Sequence, residues 1–141
     1  MGTIAIPILV QKMKTKTVAK LKKEADKWFS LYIRTRDSQD GLAECITCGV
    51  SKPIKEMQNG HFVRRSVNLL RYDELNCNAQ CVGCNMFKAG DLYLYGKALD
   101  TKYGDGTADE LQGKRFLTHK LTIQELEEII KNAKEYLKEM G

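Results

Sequence analysis

The chain has 141 residues, 43% hydrophobic and 29% charged, with a formal net charge of +5. Those proportions fit one ordinary globular domain with a modest core and exclude a membrane-embedded chain. The charge is uneven: Met1 to Arg36 carries nine Lys or Arg against two acids, Thr107 to Gly141 six against seven. A basic amino-terminal end points to a polyanionic partner, although cytosolic proteins without one share this balance.

Residues 1–16 read as a basic, extended arm and 17–141 as a single domain. The arm's apolar run "IAIPILV" (Ile4 to Val10) is broken by Pro7, is too short to span a bilayer and lacks a signal-peptide cleavage site. A cytoplasmic location and no membrane partner are therefore expected. Lys12, Lys14 and Lys16 of the arm, with Lys20, Lys22, Lys23 and Lys27 beyond it, are candidate DNA-tracking cations or a solvated face.

Thr17 to Ser38 reads as a helix, because Val18, Leu21, Ala25, Trp28, Phe29, Tyr32 and Ile33 recur every three to four residues. A turn-rich stretch stops it near Asp40-Gly41. Around His61, "MQNGHFV" alternates as a strand should, and "LLRY" (Leu69 to Tyr72) is its predicted hairpin partner. From Cys81 the pattern turns helical, and "DLYLYGKALDTKYG" predicts a short helix stopped by Gly104. "GTADELQG" supplies one more turn. The last helix opens on Thr122-x-x-Glu125, a capping box, and aligns Ile123, Leu126, Ile129, Ile130, Ala133 and Leu137. The fold class is α+β.

Cys45-x-x-Cys48 and Cys81-x-x-Cys84 form two knuckles, and four thiolates complete the tetrahedral shell of a structural Zn²⁺. The plainer reading is two dithiols or buried cysteines. A shell closed by four thiolates activates no water, so such a zinc holds structure. Cys77 is left over, as a small apolar residue or a swapped ligand. His61, Asn76 and Asn85 lie close to these knuckles. Singly, each has a bland reading: a packed or surface histidine, asparagines capping turns.

Together, the order Cys-x-x-Cys, Gly-His, Asn, Cys-x-x-Cys-Asn-x-x-Lys resembles an HNH endonuclease of the ββα-metal type. The likeness extends to the NinG (Rap) recombination nucleases of lambdoid bacteriophages through "YIRTRD", "CITCG", "GHF", "LRYDELN", "QCVGCNMFKAG" and "LTIQELEE". The resemblance implies a zinc-braced module at about 41–104, between amino- and carboxy-terminal amphipathic helices. It implies His61 as general base, Asn76 as the residue that ties the loop and orients the hairpin, and Asn85 as ligand of a catalytic Mg²⁺ or Mn²⁺. Lys88 would face the phosphate, with Arg71, Arg64 and Arg65 as flanking DNA contacts. Many HNH members place Asp before the histidine; here Gly60 stands there, and "QNGH" resembles an Asp-Arg-Gly-His motif with Gln58 in place of Asp.

The function so implied is hydrolysis of DNA phosphodiester bonds in branched recombination intermediates such as Holliday junctions and D-loops, by a phage protein in the host cytoplasm. A non-catalytic zinc-ribbon module and a general or site-specific nicking HNH nuclease stay open as alternatives. A homodimer is expected for an enzyme that cuts two symmetric strands, built on the apolar faces of the first and last helices unless the core consumes them. His119 reads as a surface or capping residue.

Overall fold

The computed structural model describes residues 16–140. The predicted arm, with Lys12 and Lys14, lies outside the described residues apart from Lys16. Helix α1 (Val18–Arg36) begins on Thr17, whose hydroxyl accepts the Lys20 N–H at 3.1 Å. Arg34 and Arg36 in its last turn complement the negative end of the helix dipole. It buries Leu21, Ala25, Phe29 and Ile33, one face at helical spacing.

That face meets α5 (Ile123–Met140), where Leu21 and Ala25 pack with Leu126 and Ile130. Each such large apolar side chain contributes about 1.5–3 kcal/mol when fully buried. The predicted capping box of α5 is present: Glu125 N–H donates to Thr122 Oγ1 at 3.1 Å and Thr122 N–H to Glu125 Oε2 at 3.4 Å. His119 Nε2 lies 2.9 Å from the same carboxylate oxygen and so belongs to this cap. The stripe of the first helix is thus spent within the chain, Leu21 and Ala25 on the last helix and Phe29 and Ile33 on Cys77.

Helix α1 ends earlier than the sequence suggests. Ser38 already starts a small antiparallel sheet, β1 (Ser38–Gln39), β2 (Leu42–Glu44) and β3 (Ser51–Pro53). Asp40 and Gly41, the expected helix stop, form its first hairpin turn with φ of 54° and 80°. Two positive φ values suit a two-residue turn between right-twisted strands, and Asp-Gly tolerates them.

The second sheet pairs β4 (Met57–His61) with β5 (Cys77–Cys81), antiparallel, His61 opposite Cys77 and Met57 opposite Cys81. This corrects the predicted hairpin partner. Leu69 to Tyr72 is not a strand; α2 (Asn68–Arg71) is a single helical turn that buries Leu70 and leaves Leu69 exposed. Strand β5 is hidden in the sequence because it is buried at all five positions, so "CNAQC" shows no apolar–polar alternation.

The helix expected from Cys81 is also corrected. Cys81 ends β5, and Gly83–Phe87 makes one wide π-helical turn. Ala89, Gly90 and Asp91 then take positive φ, which breaks the chain before α3 (Leu92–Tyr103). Helix α3 stops at Gly104 as predicted, α4 (Thr107–Gly113) follows, and Tyr95, Leu99 and Leu111 pack on Phe62, Val63 and Leu70. Among the described residues no helix is long and apolar enough to cross a membrane.

Candidate functional site

The two knuckles meet. The Sγ atoms of Cys45, Cys48, Cys81 and Cys84 all lie within 4.8 Å of one another, and Cys48 Sγ is 3.7 Å from Cys81 Sγ. Thiolates about 2.3 Å from a central tetrahedral Zn²⁺ stand about 3.8 Å apart, so the cluster could hold a zinc ion. The backbone presets it: Cys45 N–H donates to Val50 O, and Gly49, with φ of 78°, turns the first knuckle back on itself. Ile46 N–H donates to Ala79 O at 2.9 Å and fastens that knuckle to β5. Burial opposes ionisation of Cys45, yet the Cys48 N–H and the Thr47 hydroxyl bring its pKa down to about 6. Burial and the neighbouring thiols push Cys84 up to about 12. A dication relieves that conflict by stabilising all four thiolates. Cys77 is outside the cluster, fully buried against Phe29 and Ile33, with its thiol donating to Arg71 O at 3.4 Å.

Asn76 sits at the end of the loop that joins β4 to β5, with none of its surface exposed. Its Oδ1 accepts the Val63 N–H at 2.8 Å, and its Nδ2 donates to Val63 O at 2.9 Å and Leu70 O at 3.0 Å. One side chain thereby satisfies three buried backbone groups and fixes the loop that follows His61. Asp73 in turn accepts the N–H groups of Leu75 and Asn76.

His61, at the end of β4, and Asn85, in the π-helical turn, line one groove of about 540 Å³ between the second sheet and α1. His61 Nε2 lies 2.9 Å from Arg71 O. A carbonyl only accepts, so Nε2 carries the ring proton and Nδ1 the lone pair. Burial lowers the His61 pKa below its ordinary 6.5, against the Arg71 carbonyl and Asp26, which raise it. The ring is therefore neutral near pH 7. Asn85 Nδ2 donates to Gln58 Oε1 at 2.7 Å, which leaves the amide oxygen of Asn85 as its uncommitted end.

Of the predicted basic contacts, Arg65 and Arg71 line the groove, while Arg64 and Lys88 are exposed outside it. Arg71 differs from expectation. Its Nε and Nη2 grip the carboxylate of Asp26, and its Nη1 donates to Arg65 O at 3.2 Å, so the guanidinium is committed within the protein. Tyr72 donates to the same carboxylate at 2.8 Å. Lys88 is not on a continuing helix with Asn85; it closes the π-helical turn, its N–H donating to Gly83 O at 3.0 Å.

Three residues of the site escape a reading of the sequence. Asp26 is one of only two acids in the basic first helix, and that isolation is the available signal. Gln80, fully buried, donates to Gly90 O at 2.7 Å and lies over Gly60, where a Cβ would stand 2.0 Å from its Oε1. Asn59, two residues before His61 on the groove side, holds a buried Oδ1 with no hydrogen-bond partner.

The chain matches the family model described as bacteriophage Lambda NinG protein over residues 8–141. Similar curated proteins include Protein ninG of Escherichia phage lambda, 30% identical over 119 residues covering 84% of this chain and 56% of that protein. Protein ninG of Escherichia phage 933W is 30% identical over 119 residues, 84% of this chain and 57% of the relative. That of Enterobacteria phage H19B is 29% identical over 134 residues, 94% and 64%. The chain thus spans less than two thirds of the length of these relatives. No solved structure matches it.

Proposed function

The chain belongs to the bacteriophage lambda NinG family, and from that premise we propose that it is a metal-dependent DNA endonuclease of the HNH type. The observation that carries the reading is the groove that brings His61 and Asn85 together, with Asn76 holding the loop behind them. His61 Nδ1 takes the proton of the attacking water, since the Arg71 carbonyl fixes the other ring nitrogen and burial keeps the ring neutral. Asp26 holds Arg71, and Arg71 presents that carbonyl. Arg71 thus becomes a positioning residue, and Arg65, Arg64 and Lys88 remain the DNA contacts of this reading.

The donors of the groove fit a weakly held hard cation. Asn85 offers a neutral amide oxygen, Gln58 occupies its N–H end, and the carboxylate lining the groove, Asp26, is paired with Arg71 and Tyr72. Asn85 Oδ1 would hold Mg²⁺ or Mn²⁺, which when bound supplies charge neutralisation at the phosphate and the departing 3′ oxygen. With so few protein ligands, most of the remaining shell would be left to water and the substrate phosphate. Branched recombination DNA is the proposed substrate, and that choice rests on the family resemblance alone.

The test is cleavage of matched linear, nicked and four-way DNA with Mg²⁺, Mn²⁺ or EDTA. The expected result is metal-dependent cutting, strongest on the branched substrate and absent in His61→Ala. DNA binding without cutting under every metal condition would leave the non-catalytic zinc module as the better reading. Equal cutting of all three substrates would favour a general nicking enzyme.

A further inference from the structure

Phe87 is the most exposed of the described large apolar side chains, at 84%, ahead of Phe116 at 78% and Tyr93 at 73%, and Met86 beside it is 63% exposed. Singly exposed apolar residues are ordinary, but Met86 and Phe87 sit on a stiffly built turn, with Tyr93 beyond it in α3. Gln80 holds Gly90 O from below, Gly90 N–H donates to Cys84 O at 2.9 Å, and Asp91 N–H donates to Lys88 O at 2.8 Å. Cys84 ties the same turn to the thiol cluster. Backbone this constrained displays a side chain at little entropic cost, and here it displays a phenyl ring to water.

The turn is also coupled to the groove. Gln58, which holds Asn85, donates through Nε2 to Met86 Sδ at 3.5 Å. Phe87 lies two residues beyond Asn85, so their Cα atoms are at most about 7 Å apart. That is the span of about two stacked nucleotides at roughly 3.4 Å each. The surroundings are cationic: Lys88 follows Phe87, and Lys97 Nζ sits 4.6 Å from the Tyr93 ring centre. Asp91, half-buried, is the one carboxylate of this stretch. Exposed rings among lysines suit a ligand with flat apolar faces and a polyanionic backbone.

We infer that Phe87 is a stacking platform for an unpaired nucleobase of DNA beside the groove. The inference rests on the proposed nuclease reading, for which it supplies a means of selecting substrates: bases freed from pairing at a branch or gap reach the ring, whereas bases stacked inside a duplex do not.

The test measures binding with no Mg²⁺ or Mn²⁺ added, so that cutting is suppressed and the structural zinc is retained, of the full chain to labelled oligo-dT and to a matched hairpin duplex by fluorescence anisotropy. Phe87→Ala should weaken oligo-dT binding by about tenfold and duplex binding by much less. Phe87→Trp should retain oligo-dT affinity, and Phe87→Leu should not, because a flat ring and not apolarity is required. Oligo-dT affinity unchanged in both Phe87→Ala and Phe87→Leu, or an equal loss on both DNAs, overturns the inference. So does sedimentation in which Phe87→Ala converts a dimer to a monomer, which would make the ring a contact between two copies of the chain. A chain that never cuts DNA but shows the Phe87 pattern refutes the nuclease reading alone. One that cuts but lacks the pattern refutes only the stacking platform.

Discussion

Asn76 precedes β5 and Asn85 follows it, and the same side chain serves the two flanking segments in opposite ways. Asn76 is fully buried, with its oxygen and its N–H group both bound to backbone. Asn85 is half-buried, tethered at its N–H end by Gln58, and its oxygen is left for something else. The segment before β5 is held by hydrogen bonds and turns inward. The one after it is held by sulfur and turns its side chains outward. An amide bound at both ends is structural, whereas one bound at a single end keeps an oxygen free for water or, in the proposed reading, for a metal ion.

The largest effect should come from removing the sulfur anchor of the second segment. Elemental analysis should find one zinc per chain, and Cys84→Ser should lose it along with cooperative folding, since structural zinc is worth on the order of 10 kcal/mol. Unchanged melting of a zinc-free protein would end the zinc assignment.

Next in size is the chemistry. His61→Ala and Asn85→Ala should each lower cleavage by about 10²- to 10⁴-fold while unfolding in urea near the parent midpoint. If Asn85→Ala cuts at the parent rate, its open oxygen has no catalytic use and the contrast with Asn76 loses its functional meaning.

Asn76→Ala should instead lower stability by about 3–5 kcal/mol, together with activity, because it leaves the Val63 N–H and C=O without partners and removes one of the bonds to Leu70 O. A stability cost below about 1 kcal/mol would show that the loop is held by other means.

The smallest effect concerns pH. Burial lowers the His61 pKa in the folded state, so the unfolded chain binds the proton more readily. The corresponding stability is present above pH 6.5 and is lost as pH falls below it, with a slope of at most about 1.4 kcal/mol per pH unit. The cleavage rate at saturating metal should rise with pH and reach half its plateau below pH 6.5. A flat rate from about pH 5.5 to 8 would argue against a histidine base.

Much of this arrangement can be read from the residues without coordinates. The periodic apolar stripes of α1 and α5, the Gly104 stop and the Thr122–Glu125 cap are local signals, and local signals survive into the fold. The knuckle spacing identifies four thiols that do converge. Strand β5 is illegible because total burial of a short polar strand leaves no period. The commitment of Arg71 is illegible for another reason: its partner Asp26 is distant in sequence, and no spacing rule links a loop arginine to a helix carboxylate. Gln58 stands out in the sequence only as a substitute for an aspartate; its grip on Asn85 emerges in three dimensions.

The contact between Gly60 and Gln80 also limits what this chain can become. An aspartate at position 60, as in many HNH sequences, would drive its Cβ into the Gln80 amide at 2.0 Å. Gly60→Asp alone should therefore be lost to misfolding before any second carboxylate ligand could be tried. Shortening Gln80 first would make room, but it would also release Gly90 O, and with it the turn that carries Asn85. The order of the two steps thus matters, and neither intermediate is as good as the starting protein. If the proposed reading holds, a site relying on one neutral amide would be separated from the two-ligand version by a valley, not by a single substitution.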